Sequence, residues 1–298
     1  MRSSLPLTCL SVVALGVLAT SAQAQTLLFN STFDAITPPG PVPNGAAQQY
    51  QTNANTQTTQ VQNTNAATLF PSANTASAVV GGDAGTAYAL YGTVASSRLR
   101  SNTITGLPGT GLFSVIYDIN QTASTAANAT AFSLLNSAAT DANISTGTFT
   151  AFSLNGTGVI AAGGTATLTG GTATTILTNT QYVLSLVVNP TAAAISYTSA
   201  NVNGGNAVSL PALNSDLYAS SASGVVYIGR LTTITTGVNT NPNQIAFSNF
   251  NNSVPNLRIN EVDVYSGANV GVVPEPSTYA VMALGTILLG AVLRRRTA

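Results

Sequence analysis

Carboxylates are the side chains of this sequence best suited to acid–base chemistry, and there are only eight of them among 298 residues. A retaining glycosidase needs two carboxyl groups about 5 to 5.5 Å apart, one as nucleophile and one as general acid. Glu261 and Asp263, in the stretch Glu261-Val262-Asp263, are the pair to consider for this role. A structural or solvent-facing pair is the alternative, and we favour it.

Other catalytic and metal chemistry finds few residues here. Histidine is absent, which excludes histidine-based triads, proton shuttles at neutral pH and most zinc sites. Asp83, Asp118 and Asp216 would bind calcium only if the fold gathered them, and their spacing does not indicate this. The pairs Gly163-Gly164 and Gly170-Gly171 indicate hairpin turns better than a phosphate loop. The sequence therefore predicts no cofactor, no metal and no enzyme.

The charge of the chain is low and slightly acidic. Charged residues make up 5% of the chain, and lysine is absent. Between Thr26 and Gly271 there are four arginines and seven acidic residues, a net charge of −3. This composition offers no basic patch for nucleic acid. The single cysteine, Cys9, lies in a segment that we expect to be removed, so the mature chain would have no disulfide and no thiol ligand.

The elements that must position these residues are predicted to be β-strands. The clearest are 112–119 and 182–188, where apolar residues recur at every second position. Further candidate strands are 87–91, 98–104, 130–135, 149–154, 166–169, 174–178, 194–198, 225–230, 245–250 and 257–265. Turn signals such as Leu107-Pro108-Gly109 and Asn155-Gly156 separate them. This pattern predicts an all-β, antiparallel sandwich or jelly roll, and a β-helix is disfavoured because no fixed repeat is found.

One range of the body has a different composition. Residues 37–71 open with Pro38-Pro39-Gly40-Pro41 and continue as a tract of Gln, Asn and Thr with few apolar residues. Such a tract predicts a long, solvated loop within the domain rather than part of its core.

The N-terminus has the three parts of a secretory signal peptide. Arg2 is the positive region, residues 5–18 are the apolar region, and Ala22-Gln23-Ala24 provides small residues for cleavage before Gln25. The apolar run is shorter than the ~20 residues that a bilayer core requires. We therefore expect residues 1–24 to form a signal helix that is removed on export, with a single domain over residues 25–271.

The C-terminus carries a second apolar segment. Residues 279–293 are uncharged and mostly apolar, and residues 277–293 together are long enough for a short transmembrane helix. Arg294, Arg295 and Arg296 follow it and are expected to remain cytoplasmic, since positive residues favour that side. Before it, Pro274 and Pro276 favour an extended, helix-free junction that a protease can reach.

These C-terminal parts resemble a known sorting signal. Val273-Pro274-Glu275-Pro276-Ser277, the apolar helix and the three arginines resemble the PEP-CTERM signal of Gram-negative bacteria, over residues 272–298. The resemblance implies recognition by an exosortase, a membrane-embedded transpeptidase or protease that would process the chain near Pro274, Glu275 and Pro276. It also implies an association with exopolysaccharide and biofilm matrix.

The body resembles concanavalin A-like (laminin G-like) jelly rolls. Residues 27–34 and 257–265 are similar to the first and last strands of that family, and residues 182–189 followed by 195–197 are similar to its paired middle strands. The resemblance implies that the first and last strands lie close together. A shift in apolar alternation between Ile259 and Val262 separately predicts a β-bulge near Asn260 and Glu261.

The acidic pair is also similar to part of the Glu-x-Asp-x-x-Glu strand of laminarinase-type hydrolases. Ser266 stands where the second glutamate would be, so the resemblance implies that the acid partner is missing.

The function expected from these features is that of an exported, membrane-anchored and then surface or matrix β-sandwich protein with a structural or adhesive role. A glycan-binding module that binds extracellular polysaccharide is the first alternative, although tryptophan is absent and tyrosines such as Tyr182 and Tyr197 are expected in the core. A divergent glycoside hydrolase is the second alternative.

Overall fold

The computed structural model describes residues 25–31, 40–41, 50–52, 60–62, 88–91, 98–101, 103–121, 129–136, 147–164, 166–171, 175–199, 201–221, 223–232, 241–250 and 257–271. Within these ranges the chain forms β-strands and one short 3-10 helix, Asn203–Gly205. The predicted helices at 1–24 and 277–293 lie outside the described residues.

The strands follow one another in three groups along the chain. The first are β1 (Leu27–Ser31), β2 (Gly40–Pro41), β3 (Tyr50–Thr52), β4 (Gln60–Gln62), β5 (Tyr88–Tyr91) and β6 (Arg98–Ser101). The second are β7 (Phe113–Gln121), β8 (Ala129–Leu135), β9 (Thr148–Asn155), β10 (Ile160–Ala162), β11 (Leu168–Thr169) and β12 (Gln181–Val188). The third are β13 (Ile195–Tyr197), β14 (Val208–Leu210), β15 (Asn214–Ser221), β16 (Gly224–Thr232), β17 (Gln244–Phe250) and β18 (Leu257–Ser266).

Two antiparallel sheets form a sandwich. The larger has ten strands in the order β11-β16-β15-β12-β7-β18-β5-β4-β2, with β1 also pairing with β18. The smaller has six strands in the order β10-β9-β8-β17-β6-β3. A separate two-stranded ribbon consists of β13 and β14. The prediction of an all-β, antiparallel sandwich is confirmed, and so is the expectation that the first and last strands are neighbours.

Aromatic rings fill the centre of the sandwich. The ring of Tyr117 on β7 meets the rings of Phe132 on β8 and Phe247 on β17 edge-on, with centroid distances of 5.1 and 5.8 Å. Phe132 in turn stacks on Phe152 of β9 with centroids 4.7 Å apart. Because side chains alternate across a strand, every second residue of β7, β12 and β18 points away from this core. We call that side of the ten-stranded sheet the outer face.

Most predicted strands are present, with bounds that differ by at most three residues. The prediction omits β10, β14 and β15. Three short strands, β2, β3 and β4, fall within the range 37–71 that composition predicts as a loop.

The predicted strand at 174–178 is wrong for the residues that the structure describes there. Thr175 forms only an isolated bridge with Val159. The next backbone amide, of Ile176, donates to the carbonyl of Gly158 at 2.9 Å, which lies in the turn between β9 and β10. The β-branched residues of this segment therefore cross a turn and do not extend a sheet.

The similarity of residues 182–189 and 195–197 to paired middle strands is also wrong as a pairing. β12 pairs with β7 and β15, whereas β13 pairs with β14. Asn189 causes the separation, because its side-chain amide donates to the carbonyls of Ala193, Leu210 and Pro211 at 2.8, 3.1 and 2.9 Å. These bonds fix a turn that carries the chain off the sheet and into the ribbon.

Candidate functional site

The acidic pair found in the sequence lies beside a β-bulge on β18. The register between β18 and β7 shifts between Ile259 and Glu261, so the predicted bulge is confirmed. A bulge places two residues of one strand opposite a single partner residue. Asn260 and Glu261 therefore both lie opposite Asp118 on the outer face, while Ile259 and Val262 on either side belong to the core.

Asp118 is held by amide groups from both neighbouring strands. Its side chain is buried. The Gln181 side-chain amide on β12 donates to both carboxyl oxygens at 2.9 Å, and the Asn260 amide on β18 donates to Oδ2 at 3.0 Å. Burial raises the pKa of Asp118 to about 7, and these hydrogen bonds offset part of that rise. At neutral pH this carboxyl is therefore close to half protonated.

Glu261 and Asp263 are fully buried and are bridged by a residue from the opposite end of the chain. The side-chain amide of Asn30 on β1 donates to Glu261 Oε1 at 2.6 Å and to Asp263 Oδ1 at 2.7 Å. The Tyr265 hydroxyl donates to Asp263 Oδ2 at 3.3 Å. Burial raises the pKa of Asp263 to about 7, partly offset by hydrogen bonds from Asn30, Tyr265 and Glu261. We call Asp118, Glu261 and Asp263 the carboxyl cluster.

The carboxyl cluster is suited to binding protons and is closed to a substrate. All three side chains are buried, and each accepts at least one hydrogen bond from a side-chain amide. The hydroxyl of Ser266, at the position of the missing acid partner, accepts a hydrogen bond from the backbone amide of Thr26 at 2.9 Å. Within the described ranges, no group of three or more acidic, histidine or cysteine side chains is placed to hold a metal ion.

A second polar cluster lies further along the outer face and was missed by sequence reasoning. Arg230 on β16 donates from Nε to Asp216 Oδ1 at 2.8 Å and from Nη2 to Oδ2 at 3.0 Å. The hydroxyls of Tyr227 and Tyr197 donate to the same two oxygens at 3.1 and 2.9 Å. Asp216 is fully buried, so four donors satisfy a carboxylate that water cannot reach.

This second cluster fastens the two-stranded ribbon to the large sheet. Tyr197 comes from β13 and its hydroxyl also hydrogen-bonds the hydroxyl of Tyr218 on β15 at 2.5 Å. Arg230 reaches the ribbon as well, because Nη2 donates to the carbonyl of Ser209 on β14 at 3.0 Å. Burial, together with the charge of Asp216, raises the pKa of Tyr197, and burial raises the pKa of Tyr218 to about 12. These phenols therefore stay neutral, and the cluster is a structural clamp.

The structure separates the aspartates that were considered for calcium. Asp118 lies in the carboxyl cluster, Asp216 lies in the ribbon clamp, and Asp83 is outside the described residues. Tyr182 and Tyr197 are buried, as the sequence predicts. Tyr182 belongs to the core between the sheets and Tyr197 to the smaller cluster under the ribbon.

The residues predicted for processing and membrane retention lie outside the described residues. They are Ala22, Ala24, Pro274, Glu275, Pro276, Arg294, Arg295 and Arg296. In the part of the chain that the structure does describe, no helix is long and apolar enough to cross a bilayer. The described chain ends at Gly271, which is buried.

Comparisons with known proteins identify the C-terminal segment. Residues 272–296 match the PEP-CTERM protein-sorting motif. No curated protein sequence matches the chain.

Solved structures similar to this chain include three sandwich-sized proteins of low sequence identity. An endo-1,3-beta-glucanase from Streptomyces sioyaensis is 10% identical, with a TM-score of 0.35 over 83% of this chain and 98% of its own. A legume lectin-like domain from Entamoeba histolytica is 12% identical, with a TM-score of 0.34 over 62% and 84%. A protein of unknown function from Shewanella oneidensis is 12% identical, with a TM-score of 0.35 over 61% and 69%.

Proposed function

We propose that this chain is an exported protein that an exosortase sorts to the cell surface or exopolysaccharide matrix of a Gram-negative bacterium. There its β-sandwich, residues 25–271, has a structural or adhesive role and no catalytic one. The observation that carries the proposal is the match of residues 272–296 to the PEP-CTERM protein-sorting motif, because that motif implies processing by an exosortase.

The proposed route uses both ends of the chain. Cleavage after Ala24 releases the signal peptide during export. Residues 277–293 then hold the protein in the inner membrane as a short helix, with Arg294 to Arg296 on the cytoplasmic side. The exosortase cuts near Pro274, Glu275 and Pro276 and frees the domain from this anchor.

The described contacts near the two ends agree with this route. The backbone amide of Ser266 donates to the carbonyl of Thr26 at 2.9 Å, and the Gln25 side-chain amide donates to the carbonyl of Ala268 at 2.5 Å. The first residues after the predicted signal cleavage site thus pack against the last residues before the sorting motif. Both processing events would take place at one end of the domain, next to the membrane.

Substitution of Glu275 tests the sorting function. In cells that contain an exosortase, Glu275→Gln should slow removal of the C-terminal segment by about tenfold or more, because it deletes the acceptor charge of the motif while keeping its size. Intact mass measured over time after synthesis reports the loss of the segment. Asp141→Asn, which removes a charge far from the motif in sequence, is the matched control and should be processed like the parent chain. Retention of the full-length parent chain in cells with an active exosortase would contradict the proposal.

The non-enzymatic role has its own test. The protein should release no reducing sugar from β-glucans, since the carboxyl cluster is buried and bonded to amides. Hydrolysis that disappears in Glu261→Gln would instead establish a divergent glycoside hydrolase. Binding of the processed protein to isolated matrix polysaccharide, without hydrolysis, would favour an adhesive role over a purely structural one.

A further inference from the structure

The last six described residues, 266–271, are bound closely to the body, and we call them the docked segment. It begins where β1 ends its pairing with β18. The Thr26 backbone amide donates to Ser266 Oγ at 2.9 Å, and the Gly267 amide donates to the carbonyl of Leu112 at 2.7 Å. The docked segment is therefore fixed from two sides at its start.

Ser114 on β7 clamps the middle of the docked segment. Its hydroxyl donates to the carbonyl of Gly267 at 2.8 Å and accepts from the backbone amide of Asn269 at 2.6 Å. Ser114 is fully buried, and Asn269 is 4% exposed. One hydroxyl thus satisfies two backbone groups that would otherwise be buried without partners if this part of the segment stayed in place.

The end of the docked segment is buried as well. Val270 is 3% exposed and packs in an apolar cluster with Leu112 and Tyr218. Its carbonyl accepts hydrogen bonds from Ser199 Oγ and Asn201 Nδ2, both at 3.3 Å. Gly271 has a φ of 70°, and a Cβ built on it would lie 2.9 Å from Asn201 Nδ2. Its backbone therefore approaches the 201–205 turn more closely than any other residue could.

The sorting motif starts directly after this segment. Only Val272 and Val273 separate buried Gly271 from Pro274. Two residues span at most about 7 Å, even when fully extended. Proteases bind their substrates as extended backbone on both sides of the bond that they cut, and burial of that backbone decides whether it is accessible. An enzyme that cuts near Pro274 and needs several residues before the cut must compete with the body for residues 269–271.

We propose that the docked segment restrains processing at the sorting motif, so that the rate of cutting is set by how often residues 266–271 leave the body. This inference rests on the proposed sorting function. The cut itself breaks one peptide bond, and the acyl group passes to water or to an amine acceptor. When docking and release are faster than cutting, the rate follows the released population. The folded body then slows its own departure from the membrane.

Two changes test the restraint in the full-length chain, in membranes that contain an exosortase. Ser114→Ala removes two hydrogen bonds to the docked segment and should speed loss of the C-terminal segment by about tenfold, since two bonds of ordinary strength change an equilibrium by about that factor. An insertion of six Gly and Ser residues between Gly271 and Val272 gives the enzyme free backbone without loosening the clamp, and should speed processing at least as much.

Each change has a matched control. Ser185→Ala removes an equally buried hydroxyl from the same outer face, and within the described structure that hydroxyl has no hydrogen-bond partner. The same six-residue insertion placed between Thr56 and Gln57, in the polar tract, controls for chain length. Both controls should be processed at the rate of the parent chain.

The possible outcomes separate this inference from the proposed function. Parent-like rates in both Ser114→Ala and the junction insertion, with Glu275→Gln still slow, would overturn the restraint and leave sorting intact. Faster processing of the insertion alone would also overturn it, because distance from the membrane rather than docking would then be limiting. Absence of processing in the parent chain would contradict the proposed function itself.

Discussion

Arg230→Leu should lower the free energy of unfolding by about 3 kcal/mol, because it leaves the fully buried carboxylate of Asp216 without its counter-charge. Arg230 supplies two of the four donors to that carboxylate and also bonds the carbonyl of Ser209. Its own side chain is 26% exposed, so water replaces part of what is lost, and we expect the lower end of the range for broken buried pairs. Urea unfolding of the processed protein, followed by the transition midpoint at constant slope, measures the change.

A second substitution separates the charge effect from packing. Asp216→Asn in the Arg230→Leu background should recover about half of the lost stability, since a neutral amide is cheaper to bury unpaired than a carboxylate. The tyrosines Tyr197 and Tyr227 can still donate to the remaining carbonyl oxygen. A single Arg230→Leu variant within about 0.5 kcal/mol of the parent would show that the pair contributes no more than an exposed salt bridge.

The ribbon clamp also shows why one central strand escapes prediction. β15 has the sequence Asn-Ser-Asp-Leu-Tyr-Ala-Ser-Ser, which is polar enough to indicate a loop. Ser215, Asp216 and Ser220 are nevertheless buried, because β15 lies between β12 and β16 and both of its faces are covered. Binary patterning assumes that polar residues face water. Here the polar residues are accommodated by partners such as Arg230, which only the hairpin of β15 with β16 brings into register.

The bulge shows the opposite case, in which local sequence is sufficient. The apolar residues Ile259 and Val262 are three positions apart, so a regular strand cannot direct both to the core. One extra residue solves the conflict, and the structure places it at Asn260 and Glu261. Alternation within a strand is a local property, and for that reason the prediction succeeds.

The carboxyl cluster lies between these cases. Glu261 and Asp263 are visible as a pair in the sequence because they are two residues apart. Asn30, which bridges them, is more than 230 positions away, and Gln181 is 63 positions from Asp118. These contacts depend on the order of strands β12, β7, β18 and β1 in the sheet. Strand order is set by long-range packing, which apolar alternation in a single sequence does not specify.

The carboxyl cluster should make the domain less stable as the pH rises from about 4 to 8. The pKa values of Asp118 and Asp263 are both raised from an ordinary 3.8 to about 7 in the folded chain. Between these values the folded state binds more protons than the unfolded state, so stability falls with increasing pH. The contribution is complete below pH 4 and is lost as the pH passes through about 7. Each unit of pH costs about 1.4 kcal/mol per group that is still protonated only in the folded state.

The total loss over this window should be roughly 4 kcal/mol or more, with the two groups titrating as a coupled pair because the charge of Asp118 also raises the pKa of Asp263. Asp118→Asn should flatten the profile, since the amide stays neutral at every pH while keeping one oxygen for Gln181 or Asn260. Asp263→Asn should flatten it by a similar amount, and the double variant more than either alone. Unfolding midpoints in urea at pH 4, 5, 6, 7 and 8 measure the slope. A midpoint that is constant or rises over this range would mean that the cluster is ionised in the folded domain. Its hydrogen bonds from Asn30, Gln181 and Asn260 would then outweigh the cost of burying the charges.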